Sequence, residues 1–322
     1  MIKRLADLLL PPRARSYVSR KKHELITASA IRRWGERYGY LISRREDYYG
    51  PLSAVEDLRA TEARWNRPSS MSGVACDLDA MQQTFGRLVS TYYGEFAALP
   101  AYSELQQRGF GPGFTAVDAL TLYMMIRDIK PSQYVEVGSG LSTYYAALAA
   151  ERNRSDGHPV QITCIEPYPY EKLQTIAGIT LRQALVQDVA VDFFEILGDD
   201  DVLFIDSSHV VKIDGDVPFL FLEVLPRLRT GVHIHIHDVP FPYNVPHPAD
   251  LWVFGRPWPM LWTEAMLVQA LLCGSRQFRI EMSTPMLRYA NEAFLRTLVP
   301  IYETVAENPN TFSSLWLEKV SE

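Results

Sequence analysis

Apolar residues follow two rhythms along this chain. Up to about residue 95 they recur at helical spacing, first over His23 to Arg37 and then over Asp79 to Phe96, where Met81, Phe85, Leu88, Val89 and Tyr92 share one face. Between these helices runs a turn-rich stretch, Trp65-Asn66-Arg67-Pro68-Ser69-Ser70-Met71-Ser72-Gly73. A further helix, Ala116 to Ile129, is bounded by Gly113 before it and Pro131 after it.

From Tyr134 onward short β-rich runs alternate with helical segments. The runs are Tyr134–Val137, Val160–Ile165, Leu185-Val186, Val202–Ile205 and Val232–Ile236. The segments between them predict helices near Leu141–Arg152, Pro169–Ala177, Val189–Leu197 and Asp216–Leu228. Strand and helix alternating at this spacing predict an α/β, doubly wound, mostly parallel sheet with helices on both faces. Downstream, Trp262–Leu272 and Ala290–Ala306 read as helices, and Phe278–Met282 and Ser313–Val320 as a closing antiparallel pair. The change of rhythm divides the chain into an N-terminal helical region, 1–95, and a catalytic domain, 96–322, with the first region a candidate substrate cap or oligomer contact.

Composition narrows the class. With 322 residues, 47% hydrophobic and 22% charged, the chain can bury a full core and is neither disordered nor fibrous. Residues 1–22 hold seven basic side chains against Asp7 alone, a surplus of six that leaves −12 on the rest of a chain whose total is −6. A body this acidic speaks against nucleic acid as a partner. The apolar Leu8–Leu10 stretch is stopped by Pro11-Pro12, and nowhere does an apolar run approach 18 residues, so neither export nor a membrane span is expected. Cys76, Cys164 and Cys273 are odd in number and widely spaced, which fits a reducing, cytoplasmic setting.

In a doubly wound sheet, ligands sit beyond the carboxyl ends of the strands, so the residues ending each strand carry the functional reading. The first strand runs through Glu136 into Gly138-Ser139-Gly140 and then a helix, a turn whose glycines permit close ligand approach to the unpaired N–H groups of a helix start. Thr143 stands where a dinucleotide fingerprint would need its third glycine, and Glu136 suits a cationic ligand group better than a phosphate. Glu166 ends the second strand, where a carboxylate can take both hydroxyls of a ribose; Gln187-Asp188 follow the third strand and Asp206 the fourth.

This series, in this order and spacing, resembles the class I S-adenosylmethionine-dependent methyltransferases over about residues 114–322. The resemblance implies a Rossmann-like seven-stranded sheet and S-adenosyl-L-methionine as cofactor. Glu136, Gly138, Ser139 and Gly140 would lie near the methionine part, Glu166 on the ribose and Asp188, beside Gln187, on the adenine amino group. Ser142 stands where the family's loop commonly has a third glycine. Val202 to His209 and Val232 to Pro240 further resemble a bacterial subgroup of small-molecule and sugar O-methyltransferases. Metal-dependent relatives bind a divalent cation such as Mg2+ at the ends of the fourth and fifth strands. Asp206 and Asp238 match those positions, while Val239 replaces a further acid or amide of the relatives.

A hydroxyl becomes a nucleophile by losing its proton to a base or by having its pKa lowered by a cation. His209, three residues after Asp206, is the first candidate for general base and His237 the second, with Asp206 as the carboxylate alternative. His233, His235 and His237 alternate along one strand, a pattern that fits neutral, hydrogen-bonded packing better than a metal stripe. The Val239–Trp262 segment, rich in proline and carrying Tyr243, Trp252 and Trp262, is placed to cover the acceptor. The expectation is therefore O-methyl transfer to a small-molecule acceptor. The alternatives are a catalytically silent cofactor-binding protein, or another reaction on the same scaffold such as N-methylation or a hydroxylase-associated role. Self-association is left open.

Overall fold

The structure, a computed structural model, describes residues 12–43, 48–110, 113–305 and 312–321. Lys3, Arg4, Asp7 and the Leu8–Leu10 stretch lie outside the described residues. Two compact units divide the chain, 1–61 and 62–322. In the first, a helix covers Pro12–Arg37 and a short one Val55–Ala60. No helix among the described residues is long and apolar enough to cross a membrane.

The second unit is built on seven strands: β1 (Gln133–Val137), β2 (Gln161–Ile165), β3 (Ile179–Arg182), β4 (Val202–Ile205), β5 (His233–Ile236), β6 (Phe278–Ser283) and β7 (Leu315–Lys319). Their order is β3-β2-β1-β4-β5-β7-β6, with β7 alone antiparallel to its neighbours. This is the expected doubly wound, Rossmann-like sheet, and the expected antiparallel closure is made by inserting the last strand between β5 and β6. All four residues of β4 are fully buried, because helices cover both faces of a central parallel strand. On one side lies Ala116–Ile129, buried from Ala116 to Arg127, capped by Thr115 and ended by Lys130 in a left-handed conformation ahead of Pro131. The helix Leu78–Ala97 packs on it through Met81, Phe85, Leu88 and Val89.

The chain runs outward from β1 to β3, then returns to the other side of β1 with β4. Successive crossovers therefore diverge at β1 and β4, opening a crevice at their carboxyl ends. The parallel ladder continues one residue past each strand: Gly138 N donates to Ile165 O (3.0 Å), Asp206 N to Val137 O (2.8 Å) and His237 N to Ile205 O (2.9 Å). These bonds fix the first loop residues of three strands in register.

Three expectations need correction. The third strand is Ile179–Arg182, not Leu185-Val186. It is an edge strand in which half-buried Ile179 and Leu181 alternate with exposed Thr180 and Arg182, a weaker apolar signal than Leu185-Val186, and Val186 instead opens a 3-10 turn, Val186–Asp188. The helices expected at Pro169–Ala177 and Val189–Leu197 are 3-10 turns, Glu171–Thr175 and Val191–Ile196, closed by bonds to the third residue back such as Leu173 N to Tyr170 O and Phe193 N to Ala190 O. The segment Thr284–Leu298 is helical on both sides of a kink at Asn291 (φ −154°, ψ 71°), capped by Ser283 and ended before Pro300, and Tyr302–Val305 is a separate short helix, where a single helix from Ala290 was expected. Asp216–Arg227 is helical as expected but widens to a π turn over Leu220–Val224, just before Pro226, which has no N–H to give and crowds the carbonyl four residues back.

Gly138 has φ +81°, and a Cβ there would stand 1.8 Å from the Asp206 carbonyl oxygen, so the β1 and β4 loops meet only because residue 138 has no side chain. Gly138→Ala is expected to lose about 3 kcal/mol or more of stability, read as the shift of the urea midpoint. A midpoint within error of wild type would contradict this packing.

Candidate functional site

The register bonds bring Asp206, His209, His237 and Asp238 to adjoining strand ends. His209 Nε2 lies 3.2 Å from Asp206 Oδ1 and 3.6 Å from Asp238 Oδ2, while its Nδ1 donates to Glu264 Oε2 at 2.7 Å. His237 Nδ1 lies 3.5 Å from Asp206 and 3.7 Å from Asp238, and its Nε2 faces Asp118 Oδ2 at 3.4 Å. His209 and Asp238 both hold φ near +60° without being glycine, local strain that the surrounding bonds maintain. The loop carrying His209 is pinned to the start of the helix Glu264–Leu272: Thr263 N and Glu264 N donate to His209 O, and Val211 N donates to Thr263 Oγ1.

Asp118 and Glu264 complete the cluster and were not anticipated from sequence. Asp118 is fully buried and takes bonds from Ser313 N (3.1 Å), Ser313 Oγ (2.9 Å) and Ser314 Oγ (2.8 Å), so it ties the entry to β7 to His237. Each looks like an ordinary acid in a helical first turn. Only the tertiary fold, across 119 residues for Asp118 and 55 for Glu264, gives each its histidine.

Burial opposes charge on every member, and the partners decide the outcome. Burial would lower His209, but hydrogen bonds to Asp206 and Glu264 outweigh it and hold the imidazole protonated well above its ordinary range. His237 is likewise raised, against burial, by the Asp238 and Asp206 charges and the Asp118 bond. Burial would raise Asp206, but His237 and His209 pull it below the usual carboxylate range, whereas Asp238 and Glu264 stay raised because burial wins. Four carboxyl groups thus face two imidazoles, a site with surplus acid.

One oxygen each of Asp206 and Asp238 and a nitrogen of His209 all lie within 4.8 Å of one another. Two carboxylates and an imidazole suit a divalent cation that accepts oxygen and nitrogen ligands. About a quarter of each aspartate side chain reaches solvent.

On the β1 side, Glu166 Oε2 accepts Ser139 N (3.2 Å) and its Oε1 accepts Tyr168 N (2.7 Å), which aims the carboxylate across the glycine loop while leaving lone pairs for further donors. Ser139 Oγ is buried without a protein partner among the described residues, a polar group consistent with a ligand at this loop. A Cβ at Gly140 would meet the Phe110 carbonyl at 2.8 Å. Glu136 lies beneath the loop, fully buried, accepting Ser142 Oγ at 2.5 Å, and burial pushes its carboxyl up to about 8. Gln187 and Asp188 sit in the turn after β3. Gln187 donates to Asp214 O (3.2 Å), Asp188 is exposed, and no bond joins either to Glu166 or the glycine loop.

The histidines of β5 separate by role. His235 is stacked on Phe204 (ring centroids 4.5 Å) and tilted against Trp316 (4.8 Å), and burial drives it down to about 3, so it is neutral. His233 faces the opposite end of the strand, bonded to Glu281 at 2.7 Å. Beside Asp238 opens a cavity of about 370 Å³ lined by Tyr243, Trp252, Trp262, Arg288 and Ser313. Trp262 lies 4.5 Å from the His209 ring and 5.5 Å from Trp252, so an aromatic wall leads from the cavity to the acid cluster.

Residues 135–239, from β1 to just past β5, match the model of a family described as a methyltransferase domain, in line with the resemblance drawn from the strand-end residues. An uncharacterized protein of Archaeoglobus fulgidus is 27% identical over 160 residues, 47% of this chain and 71% of that one. Among solved structures, an O-methyltransferase from Bacillus cereus in complex with SAH is 14% identical with a TM-score of 0.43, over 75% of this chain and 100% of that one. The O-methyltransferase of tomaymycin synthesis from Streptomyces achromogenes, in complex with SAM, is 14% identical with a TM-score of 0.39, over 77% and 92%. The fold itself follows from the sheet order and register.

Glu136 makes stability depend on pH. Between its ordinary value of 4.5 and about 8 the folded protein keeps a proton that the unfolded chain releases, so stability falls as pH rises through this window, by about 1.4 kcal/mol per unit from this group. Glu136→Gln is expected to lose that share of the slope when urea unfolding is compared at pH 6 and 8. An unchanged slope would show that the carboxyl is already ionised.

Proposed function

We propose that this chain binds S-adenosylmethionine and transfers its methyl group to a hydroxyl of a small-molecule acceptor. One observation carries the reading: at the carboxyl ends of β4 and β5, His209 is oriented by Glu264 on one ring nitrogen and presents the other to Asp206 and Asp238, at the edge of a cavity. The methyltransferase-domain match over 135–239 supports the same conclusion.

The cofactor supplies an electrophilic methyl carbon on a sulfonium. Glu166 would accept the ribose hydroxyls, since its carboxylate is already aimed by two backbone N–H groups. The Gly138-Ser139-Gly140 backbone would lie along the methionine part. Glu136, with Ser142, supports that loop from below as a neutral acid. Gln187 and Asp188 would border the adenine.

For the acceptor, alignment is the main contribution, and proton removal the second. While Asp206 and Asp238 are uncompensated, their charge and that of Glu264 keep the proton on His209. Neutralising the two aspartates frees Nε2 to take the acceptor proton, and Glu264 then stabilises the imidazolium that forms. Asp206 and Asp238 would hold a divalent cation such as Mg2+, whose chemistry is to lower the pKa of an oxygen it binds, with His209 Nε2 left for the proton. His237, fixed by Asp118, is the second candidate for the base and a brace for both aspartates. In this proposal 96–322 carries the chemistry and 1–95 is a helical region that serves as a substrate cap or oligomer contact. The free thiols of Cys76, Cys164 and Cys273 suit a cytoplasmic setting.

Calorimetric titration with S-adenosylhomocysteine tests the proposal. Micromolar binding is expected, weakened about tenfold or more in Glu166→Ala, the loss of a hydrogen-bonded charge. Magnesium is expected to change the measured heat relative to chelator. No binding under any of these conditions would overturn the methyltransferase reading.

A further inference from the structure

A second cavity, about 410 Å³, adjoins the first and shares Pro242 and Tyr289 with it as a dividing wall. The two hollows differ in charge. The first carries Asp238 and Glu292 as well as Arg288, whose guanidinium lies 3.5 Å from Glu292 and over the Phe312 ring at 4.7 Å. Its charge is balanced in place, and the cavity has acid to spare. In the second, the one charged lining residue is Arg67, set among Ser69, Ser70 and the apolar Met71, Leu78 and Met286.

Arg67 donates Nε to the Arg64 carbonyl at 3.1 Å, and no carboxylate among the described residues lies within ion-pair distance of it. That bond fixes the stem and leaves the two terminal nitrogens for a ligand. The turn that carries it is held on both sides. Asn66 donates to Glu62 at 2.9 Å, Ser69 N to the Pro242 carbonyl at 2.8 Å and Gly274 N to the Gly73 carbonyl at 2.7 Å. A guanidinium presented by a braced turn over an apolar hollow is suited to an anion attached to an organic body, because the fork pairs with phosphate or carboxylate oxygens while Met71, Leu78 and Met286 cover the carbon framework.

We propose that the acceptor has two parts, a hydroxylated ring seated on the aromatic wall beside Asp238 and an anionic group, phosphate or carboxylate, reaching past Tyr289 to Arg67. This rests on the methyl-transfer reading of the first cavity and names the class of acceptor it takes. A ring alone would leave the second cavity unfilled, and an anion in the first would meet Asp238 and Glu292.

The test titrates the full-length protein, with and without S-adenosylhomocysteine, with three coumarins: 4-methylumbelliferyl phosphate, 7-hydroxycoumarin-4-acetate and uncharged 7-methoxy-4-methylcoumarin. At least one anionic probe is expected to bind about fivefold or more tightly than the neutral one, and the tighter of the two identifies phosphate or carboxylate. Arg67→Ala is expected to erase the preference while leaving the neutral probe and the melting temperature unchanged, and Arg67→Lys to restore part of it. Equal affinity for charged and neutral probes, a preference that survives Arg67→Ala, or no binding of any probe would overturn the proposal. Homocysteine-product binding in the same samples keeps the two readings apart: retained, it confines the failure to the acceptor; absent, the methyltransferase reading fails as well.

Discussion

The site depends on the register of a parallel ladder. Because the Asp206 N–H pairs with Val137 and the His237 N–H with Ile205, the first residues beyond β4 and β5 are locked side by side, and their ionisable groups have nowhere to separate. Four carboxyls and two imidazoles in a space this small would repel or neutralise one another in water-poor surroundings. They are held instead by alternation: Glu264, His209, Asp206 and Asp238, His237 and Asp118 follow one another as acid, base, acid, base, acid. The outer two acids, Glu264 and Asp118, are deeply buried, each bonded to a histidine and to serine hydroxyls. The middle two reach solvent and are the ones a ligand can meet.

That arrangement holds the cluster from several sides. Its anchors come from distant parts of the chain, Asp118 on a helix before β1, Glu264 on a helix after β5 and Ser313 at the entry to β7. Few local fluctuations can open it. Its charge is nevertheless unbalanced toward acid, so a cation or a proton entering at Asp206 and Asp238 changes the state of His209 directly. Under the proposed reaction, the aromatic wall of Trp262 and Trp252 would set where an acceptor lies relative to that change.

Much of this was legible in the sequence, for physical reasons that also mark the limits. Inner strands are buried on both faces, so β4 appears as a continuous apolar run and β1 and β5 as runs broken only by Glu136 and by His233 and His235, and the residues that follow them, Asp206, His237 and Asp238 among them, can be named from the sequence. The edge strand Ile179–Arg182 is half exposed, and its alternating pattern gives a weaker apolar signal than Leu185-Val186. Short connections that read as helices are single 3-10 turns, since periodicity over five or six residues does not separate the two. Asp118 and Glu264 carried no local signal, because an acid in a first helical turn is favourable by itself and its pairing with a histidine exists only after folding. The Trp65–Gly73 turn is visible as a turn, but the absence of an ion-pair partner for Arg67 among the described residues is a property of the folded surface.

The central claim is that the acid and histidine cluster at the ends of β4 and β5 faces the reactive centre of a cofactor bound across β1 and β2. A crystal structure of the complex with S-adenosylhomocysteine tests it most directly. The account predicts the ribose on Glu166, the homocysteine along Gly138 to Gly140, and the sulfur turned toward the opening between Asp206, His209 and Asp238. A cofactor bound elsewhere, or bound with its sulfur directed away from that opening, would contradict it.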